Sequence, residues 1–299
     1  FARIEGQPAV AATIKGAGPL DDFLGEAQIA TDGVDRVTGK LAMTGEKGPD
    51  GADGASFDLE VGGDLSTLLP PQNREFFGTS THILAKGWRG YNGQLDITTL
   101  NLDTDALKID GRLSVNDQGA PQLVDLQVDF GQQAGAATLP VKIPFVDPPI
   151  TVLSGELAVG LDIAQGPDWT LKGWLTEIDR EGTRVARLDL DGQGRLNEAV
   201  DGALQKDTGT FSFDASGIQL VSEKLQKVIG DNISGKTSFE FTPGQVLALT
   251  GMQISGKDYG LDGALTVDGL TSGIVLSTAQ LIARHDDLSN LSELAGRPL

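Results

Sequence analysis

The chain has 299 residues, of which 40 are glycine, 39% are hydrophobic, 5% are aromatic and none is cysteine. Its formal net charge of −19 repels phosphate backbones, so we expect no nucleic-acid partner. The lack of cysteine excludes disulfides, thiolate zinc sites and thiol catalysis. No apolar run approaches the roughly 18 residues of a membrane-spanning helix. We expect the chain to be a segment of a longer protein, with any membrane anchor outside it.

Apolar and polar residues alternate along most of the chain, which predicts β-strands with one face in water and one face out of it. The alternation is clear at 124–130, 157–163 and 169–176. Clusters of glycine and aspartate at 31–33, 116–119, 191–194 and 268–269 predict turns, because both residues tolerate positive φ. Glycine at every third position of 45–54 predicts a flexible loop.

Helices are predicted at three places. The segment 221–229 has an apolar face, with Ser222 as a cap and Gly230 as the terminator. A shorter helix is predicted from the second proline of the Pro70-Pro71 pair. A third short helix is predicted at about 288–295. These helices are expected to cap one edge of the sheet.

The chain repeats itself. Residues 57–115 and 211–267 follow one pattern of strand, helix and further strands, and Gly78 and Gly230 lie 152 positions apart in it. A partial third copy is predicted at 279–299. Repetition predicts one continuous array over 1–299, in which function lies along a surface. The apolar face of such an array either fills a core or lines an open trough, and periodicity does not distinguish the two.

Motifs for catalysis or cofactor binding are incomplete. Residues 230–237 match the phosphate-loop pattern, but a helix precedes them and a strand follows, which is the reverse of the order that binds phosphate. The two histidines, His82 and His285, lie far apart. The acidic loop that ends at Glu60 lacks two ligands of a calcium loop. We expect no enzyme, no catalytic residue, no cofactor and no metal.

Several segments resemble the TamB/AsmA-like family of alphaproteobacteria, over most of the chain. They are Leu69-Pro-Pro-Gln-Asn-Arg-Glu-Phe-Phe-Gly78, Ala85-Lys-Gly-Trp88-Arg-Gly90, Tyr259-Gly-Leu-Asp-Gly-Ala-Leu265 and Leu294-Ala-Gly-Arg-Pro-Leu299. The resemblance implies a long β-groove in the periplasm of a Gram-negative bacterium, as part of a protein anchored in the inner membrane. It also implies phospholipid transport toward the outer membrane and association with TamA in outer-membrane protein assembly. Contacts with TamA and with membranes are expected through parts outside this chain.

Together, the pattern and the resemblance predict an all-β fold with a few short helices, as an elongated array of stacked antiparallel strands curled into an apolar groove. The groove is predicted to bind phospholipid acyl chains. Its candidate residues are Leu107, Ile109, Leu113, Val115, Phe211, Phe213, Phe239, Phe241, Leu261, Leu265 and Val267. The alternating residues Asp110, Arg112, Asp262 and Asp268 are predicted to face water.

The expected function is a periplasmic bridge segment that conducts phospholipid between the inner and outer membranes. The alternative is a structural or chaperone-like scaffold, which offers strand edges to outer-membrane proteins during their assembly and secretion.

Overall fold

The computed structural model describes residues 8–19, 21–48, 50–134, 137–144, 146–198, 202–243, 246–268 and 275–287, with the backbone alone at 132–134, 137 and 198. The chain divides into two compact units, Phe1–Ala164 and Gln165–Leu299. Both units consist mainly of antiparallel strands, and the described part of each contains one short helix. The predicted all-β fold with a few short helices is therefore confirmed.

The first unit is built around nine strands that pair side by side. Its described strands are β1 (Val10–Ala17), β2 (Asp22–Thr31), β3 (Val34–Lys47), β4 (Asp53–Gly63), β5 (Thr81–Gly90), β6 (Leu95–Asp103), β7 (Leu107–Val115), β8 (Pro121–Phe130), β9 (Gln132–Ala134), β10 (Ala137–Leu139), β11 (Val141–Lys142), β12 (Thr151–Val152) and β13 (Ser154–Asp162). Strands β1 to β8 pair with their neighbours in chain order, and β13 pairs with β8. We call these nine strands the first ladder. Strand β9 pairs with β10, and β11 pairs with β12.

The second unit follows the same plan with longer strands at its start. Its described strands are β14 (Gly166–Arg180), β15 (Thr183–Glu198), β16 (Leu204–Ser216), β17 (Asn232–Thr242), β18 (Val246–Ser255), β19 (Tyr259–Asp268) and β20 (Val275–His285). Each pairs antiparallel with the next, and we call these seven strands the second ladder. Its first hairpin turns at Glu181 and Gly182, whose φ angles of 53° and 85° suit a tight two-residue turn.

The two described helices have the same length of seven residues, α1 (Pro71–Phe77) and α2 (Glu223–Ile229). Helix α1 begins at the second proline as predicted, but the prediction that it is the shorter helix is wrong. Helix α2 begins two residues later than predicted, because the Ser222 hydroxyl accepts the backbone N–H of Leu225 at 3.4 Å and so caps the helix. The predicted third helix and the predicted third copy beyond residue 287 lie outside the described residues.

The internal repeat extends to the pairing of backbones. Helices α1 and α2 begin and end 152 residues apart. The pair formed by Leu59 and Ala85 across β4 and β5 recurs at the same spacing as Phe211 and Thr237 across β16 and β17. The two copies therefore share one strand register, and equivalent residues face equivalent neighbours.

Register irregularities recur at the same spacing. The pairing of β6 with β7 shifts between Ile97 and Leu100, and the pairing of β18 with β19 shifts between Leu249 and Met252. Such β-bulges add a residue to one strand and locally increase its twist. Because of the extra residue, the apolar residues of β6 and of β18 lie on the same face before and after the shift.

The helices are held at strand ends by different means. Phe76 of α1 is buried against Ala106 and Val141, with Phe77 and Leu107 packed beside them. Helix α2 has no buried residue, and the side chain of Gln226 bonds it to the segments on either side. The Gln226 amide donates to the carbonyl oxygens of Ile218 and Gly230 and to the Asp231 carboxylate, and its oxygen accepts the N–H of Leu220 at 2.6 Å.

Two glycine-rich segments predicted as turn and loop lie wholly or partly in strands. Residues 191–194 are inside β15, and in the 45–54 segment residues 45–47 belong to β3 and residues 53–54 to β4. The indole of Trp88, which is 7% exposed, occupies the space over Gly54, where an added Cβ atom would lie 2.4 Å from it. Glycine is therefore needed here for ring packing rather than for a turn.

Candidate functional site

Cross-strand partners lie on the same side of a ladder, so the registers sort every strand residue onto one of two faces. In the first ladder one face is apolar from β2 to β13. Its larger side chains are Phe23, Ile29, Val37, Leu41, Met43, Phe57, Leu59, Val61, Ile83, Leu95, Ile97, Leu100, Leu102, Leu107, Ile109, Leu113, Val115, Val124, Leu126, Val128, Phe130, Leu157, Val159 and Leu161. We call this set the first apolar face.

The second ladder has an apolar face of the same kind. Its larger side chains are Trp169, Leu171, Leu175, Leu188, Leu190, Leu196, Phe211, Phe213, Phe239, Phe241, Leu247, Leu249, Met252, Ile254, Leu261, Leu265 and Val267. We call this set the second apolar face. It differs from the first in its concentration of aromatic rings on β14, β16 and β17.

The side chains of both faces are half-buried rather than buried. Of the residues named for the two faces, only Val37, Leu161 and Leu196 are fully buried, at 7%, 6% and 8% exposure. A sheet covered by a second layer places most of its inward side chains out of contact with water. Most described residues of these faces therefore remain accessible to a ligand or to solvent.

The structure places all eleven predicted groove residues on these faces. Four lie on β7 in the first apolar face, and seven lie on β16, β17 and β19 in the second. The four residues predicted to face water, Asp110, Arg112, Asp262 and Asp268, are all on the opposite faces. The alternation of the sequence thus predicts the sidedness of these strands correctly.

The opposite, polar faces carry cross-strand ion pairs. Lys86 bonds Asp58 at 2.6 Å, and Arg112 bonds Asp125 at 2.6 Å. A hydrogen bond from the Lys108 ammonium lowers the pKa of Asp110. Exposed pairs of this kind stabilise a fold only slightly, but they keep a face hydrated and soluble.

Glycines make room for aromatic rings on the second apolar face. An added Cβ at Gly194 would lie 2.6 Å from the ring of Trp169, one at Gly209 would lie 2.9 Å from Phe239, and one at Gly235 would lie 2.4 Å from Phe213. The rings therefore lie low over the backbone of neighbouring strands. This packing gives the middle of the second ladder a floor made of ring surfaces.

One charged residue lies within this floor. Asp207 is opposite Leu196 on one side and Phe241 on the other, and it accepts a 2.8 Å hydrogen bond from Nε1–H of Trp169. Burial raises the pKa of Asp207, although its hydrogen bonds act in the other direction. Sequence reasoning missed this residue, but its signal was available, since Asp207 is in phase with Phe211 in the alternating pattern.

A separate pocket of about 640 Å³ lies mainly on the polar face of the first ladder, beside Trp88. Its polar lining includes Ser56, Asp58, Lys86 and Asp96. Lys86 and Asp58 form an ion pair at 2.6 Å, so these two residues present no net charge to a ligand in the pocket. We assign it no function.

The phosphate-loop match and the histidines do not form a site. Gly230 ends α2 and β17 begins at Asn232, so the segment runs from helix to strand as predicted, and Lys236 is exposed on the polar face. His82 contacts Glu60 at 3.3 Å on the polar face of the other ladder. Among the described residues there is no group of three or more potential metal ligands and no helix able to span a membrane.

Comparison with models of protein families, with curated proteins and with solved structures finds no significant match to this chain.

Proposed function

We propose that the apolar faces bind the acyl chains of phospholipids and that the chain is a segment of a periplasmic lipid conduit between the inner and outer membranes. The observation that carries the proposal is that each ladder has one face which is apolar strand after strand and whose side chains are mostly half-buried. A filled core would not leave such a face accessible. The resemblance to the TamB/AsmA-like family supports the same conclusion.

The energetics favour this use of the faces. A diacyl lipid moved through water exposes roughly 30 methylenes at about 0.8 kcal/mol each, a cost near 24 kcal/mol. A surface that replaces the bilayer interior removes much of this cost without any chemical step. Leucine, valine and isoleucine dominate the first apolar face, so acyl chains meet flexible aliphatic side chains of similar polarity there.

Strand alternation provides a matched test of the proposal. A photo-crosslinking amino acid at Leu113 or Leu265 is expected to capture phospholipid in cells, whereas the same probe at Asp110 or Asp262 is not. Each control residue lies on the same strand as its partner but on the opposite face. Equal capture from both faces, or no capture from either, would contradict the proposal.

The alternative, a scaffold that offers strand edges to outer-membrane proteins, is favoured by the terminal strands. All eight residues of β1 are exposed, with Ile14 at 83%, and β20 exposes Leu281 and Ile282 at 50% and 57%. Strands at the end of a ladder present backbone groups that can pair with another chain. Probes at Ile14 and Ile282 that capture unfolded outer-membrane protein, together with no lipid capture at Leu113, would favour this function.

A further inference from the structure

Asp207 is the one charged residue of the second apolar face among the described residues of β15, β16 and β17. The other described residues of this face are uncharged on all three strands. The face runs from Ala186 to Leu196 on β15, from Asp207 to Ala215 on β16 and from Ile233 to Phe241 on β17. A carboxylate placed among leucine and phenylalanine side chains loses hydration, which is consistent with the direction of its shifted pKa. An ionised carboxylate at this position therefore lowers the stability of the fold, and folding by itself gives no reason for it.

No described cationic side chain pairs with Asp207. The neighbouring carboxylates of the polar face are paired, since Arg195 bonds Asp168 at 2.8 Å and Lys206 bonds Glu240 at 2.6 Å. Lys206 is adjacent to Asp207 in the chain but points to the opposite face, because neighbours in a strand alternate. A cation that neutralises Asp207 therefore has to come from outside the described residues.

Three aromatic residues lie near Asp207 on the same face. Trp169 donates its indole N–H to Asp207 at 2.8 Å and lies 5.9 Å, centroid to centroid, from Phe239, with a tilt of 32° between the rings. Phe241 is directly opposite Asp207 on β17. A carboxylate with aromatic residues near it is a combination that binds organic ammonium ions, because the carboxylate attracts the positive charge and a ring face can add a cation–π contact to the same group.

We propose that Asp207, Trp169, Phe239 and Phe241 form a binding site for the ammonium group of a zwitterionic phospholipid headgroup. The assignment rests on the proposed function, since acyl chains on the adjoining apolar residues would bring the headgroup to this place. It adds selectivity to that function: an amine-bearing headgroup is retained at this point of the face, and an anionic headgroup without an amine is not.

The test compares two short-chain lipids with the same acyl chains, dihexanoyl phosphatidylethanolamine and dihexanoyl phosphatidylglycerol, titrated into the whole chain. The indole N–H resonance of Trp169, identified by its loss in Trp169→Phe, reports on the site directly. The ethanolamine lipid is expected to shift this resonance and to bind about five- to tenfold more tightly than the glycerol lipid, the size expected for a partly desolvated cation–π contact.

Asp207→Asn is expected to abolish this preference while it preserves an acceptor for the Trp169 N–H. The matched control is Asp214→Asn, which removes the same charge from the same strand on the exposed polar face and is expected to leave the preference unchanged. Equal binding of the two lipids by the unmodified chain, or a preference that survives Asp207→Asn, would overturn the inference while leaving acyl-chain binding intact.

Failure of the proposed function gives a different result. If neither lipid binds, ethanolamine and tetramethylammonium are titrated alone. A shift of the Trp169 resonance that is lost in Asp207→Asn would then support an ammonium site that serves free amines. No shift with any of these probes would refute the site itself.

Discussion

The ring of Trp169 lies over the backbone of Gly194, its direct cross-strand partner in the pairing of β14 with β15. An added Cβ at Gly194 would lie 2.6 Å from the ring and 2.4 Å from the carbonyl oxygen of Thr208. Neither neighbour is the mobile end of a flexible side chain. The absence of a side chain at this position is therefore a packing requirement of the aromatic floor.

Gly194→Ala is expected to destabilise the second unit by about 1–3 kcal/mol, the usual cost of overpacking. Gly260→Ala is the control, because the nearest atom to its added Cβ is the Ile254 carbonyl oxygen at 3.9 Å. Denaturant midpoints, read from tryptophan fluorescence, measure both. Equal effects of the two substitutions would show that the ring contact does not determine the need for glycine at 194.

Asp207→Asn is expected to stabilise the chain at neutral pH. The pKa of Asp207 is higher in the folded state than its unfolded value of 3.8. Protonated Asp207 therefore contributes its full stability below the unfolded pKa, and this contribution is lost as the pH rises through the folded pKa and the carboxyl group ionises. The variant has no charge to desolvate, so its advantage in unfolding midpoint should appear as pH rises above the acid range. It should vanish at pH 3.

Asp189→Asn is expected to change the stability at neutral pH in the opposite direction. A hydrogen bond from Arg187 lowers the pKa of Asp189, so this carboxylate contributes stability above its unfolded pKa that is lost as pH falls through the folded value. Asp189→Asn should therefore lower the unfolding midpoint at neutral pH and have no effect in acid. If both variants shifted stability in one direction, general charge repulsion rather than local environment would be the cause.

Leu113 and Leu161 test how far the first apolar face is open. They occupy one row, each directly opposite Val124, but Leu113 is half-buried and Leu161 is 6% exposed. Leu161→Asp is expected to cost several kcal/mol and to unfold the first unit, since its carboxylate cannot reach water. Leu113→Asp should stay folded by circular dichroism and lose bound lipid. Unfolding by both changes would indicate a filled core.

Gln226→Met should loosen α2. The change keeps the side-chain volume but leaves the N–H of Leu220 and the carbonyl of Ile218 without their Gln226 partner. The loss is expected to destabilise α2 by about 1–3 kcal/mol. The control is Gln72→Met in α1, where the glutamine is exposed. Hydrogen exchange of the α2 amides is expected to accelerate in the first variant only. Unchanged exchange would mean that helix packing, not this amide, holds α2.

Sidedness was predictable from the sequence alone. Alternation with a period of two is a local property, and it placed all eleven groove candidates and the four water-facing controls on the correct faces. Helix α1 was predictable from its proline start, and the Asp32-Gly33 turn from its tolerance of positive φ. The internal repeat was also visible as a fixed spacing between glycine positions.

Only the tertiary structure decided the role of several glycines and of Asp207. Residues 191–194 were predicted as a turn, but rings from neighbouring strands cover Gly192 and Gly194 and keep the segment in β15. The environment of Asp207 likewise depends on Trp169, which is 38 residues away in the chain. Local pattern specifies which way a side chain points, whereas the neighbours that meet it across strands are set by register, and register depends on the whole ladder.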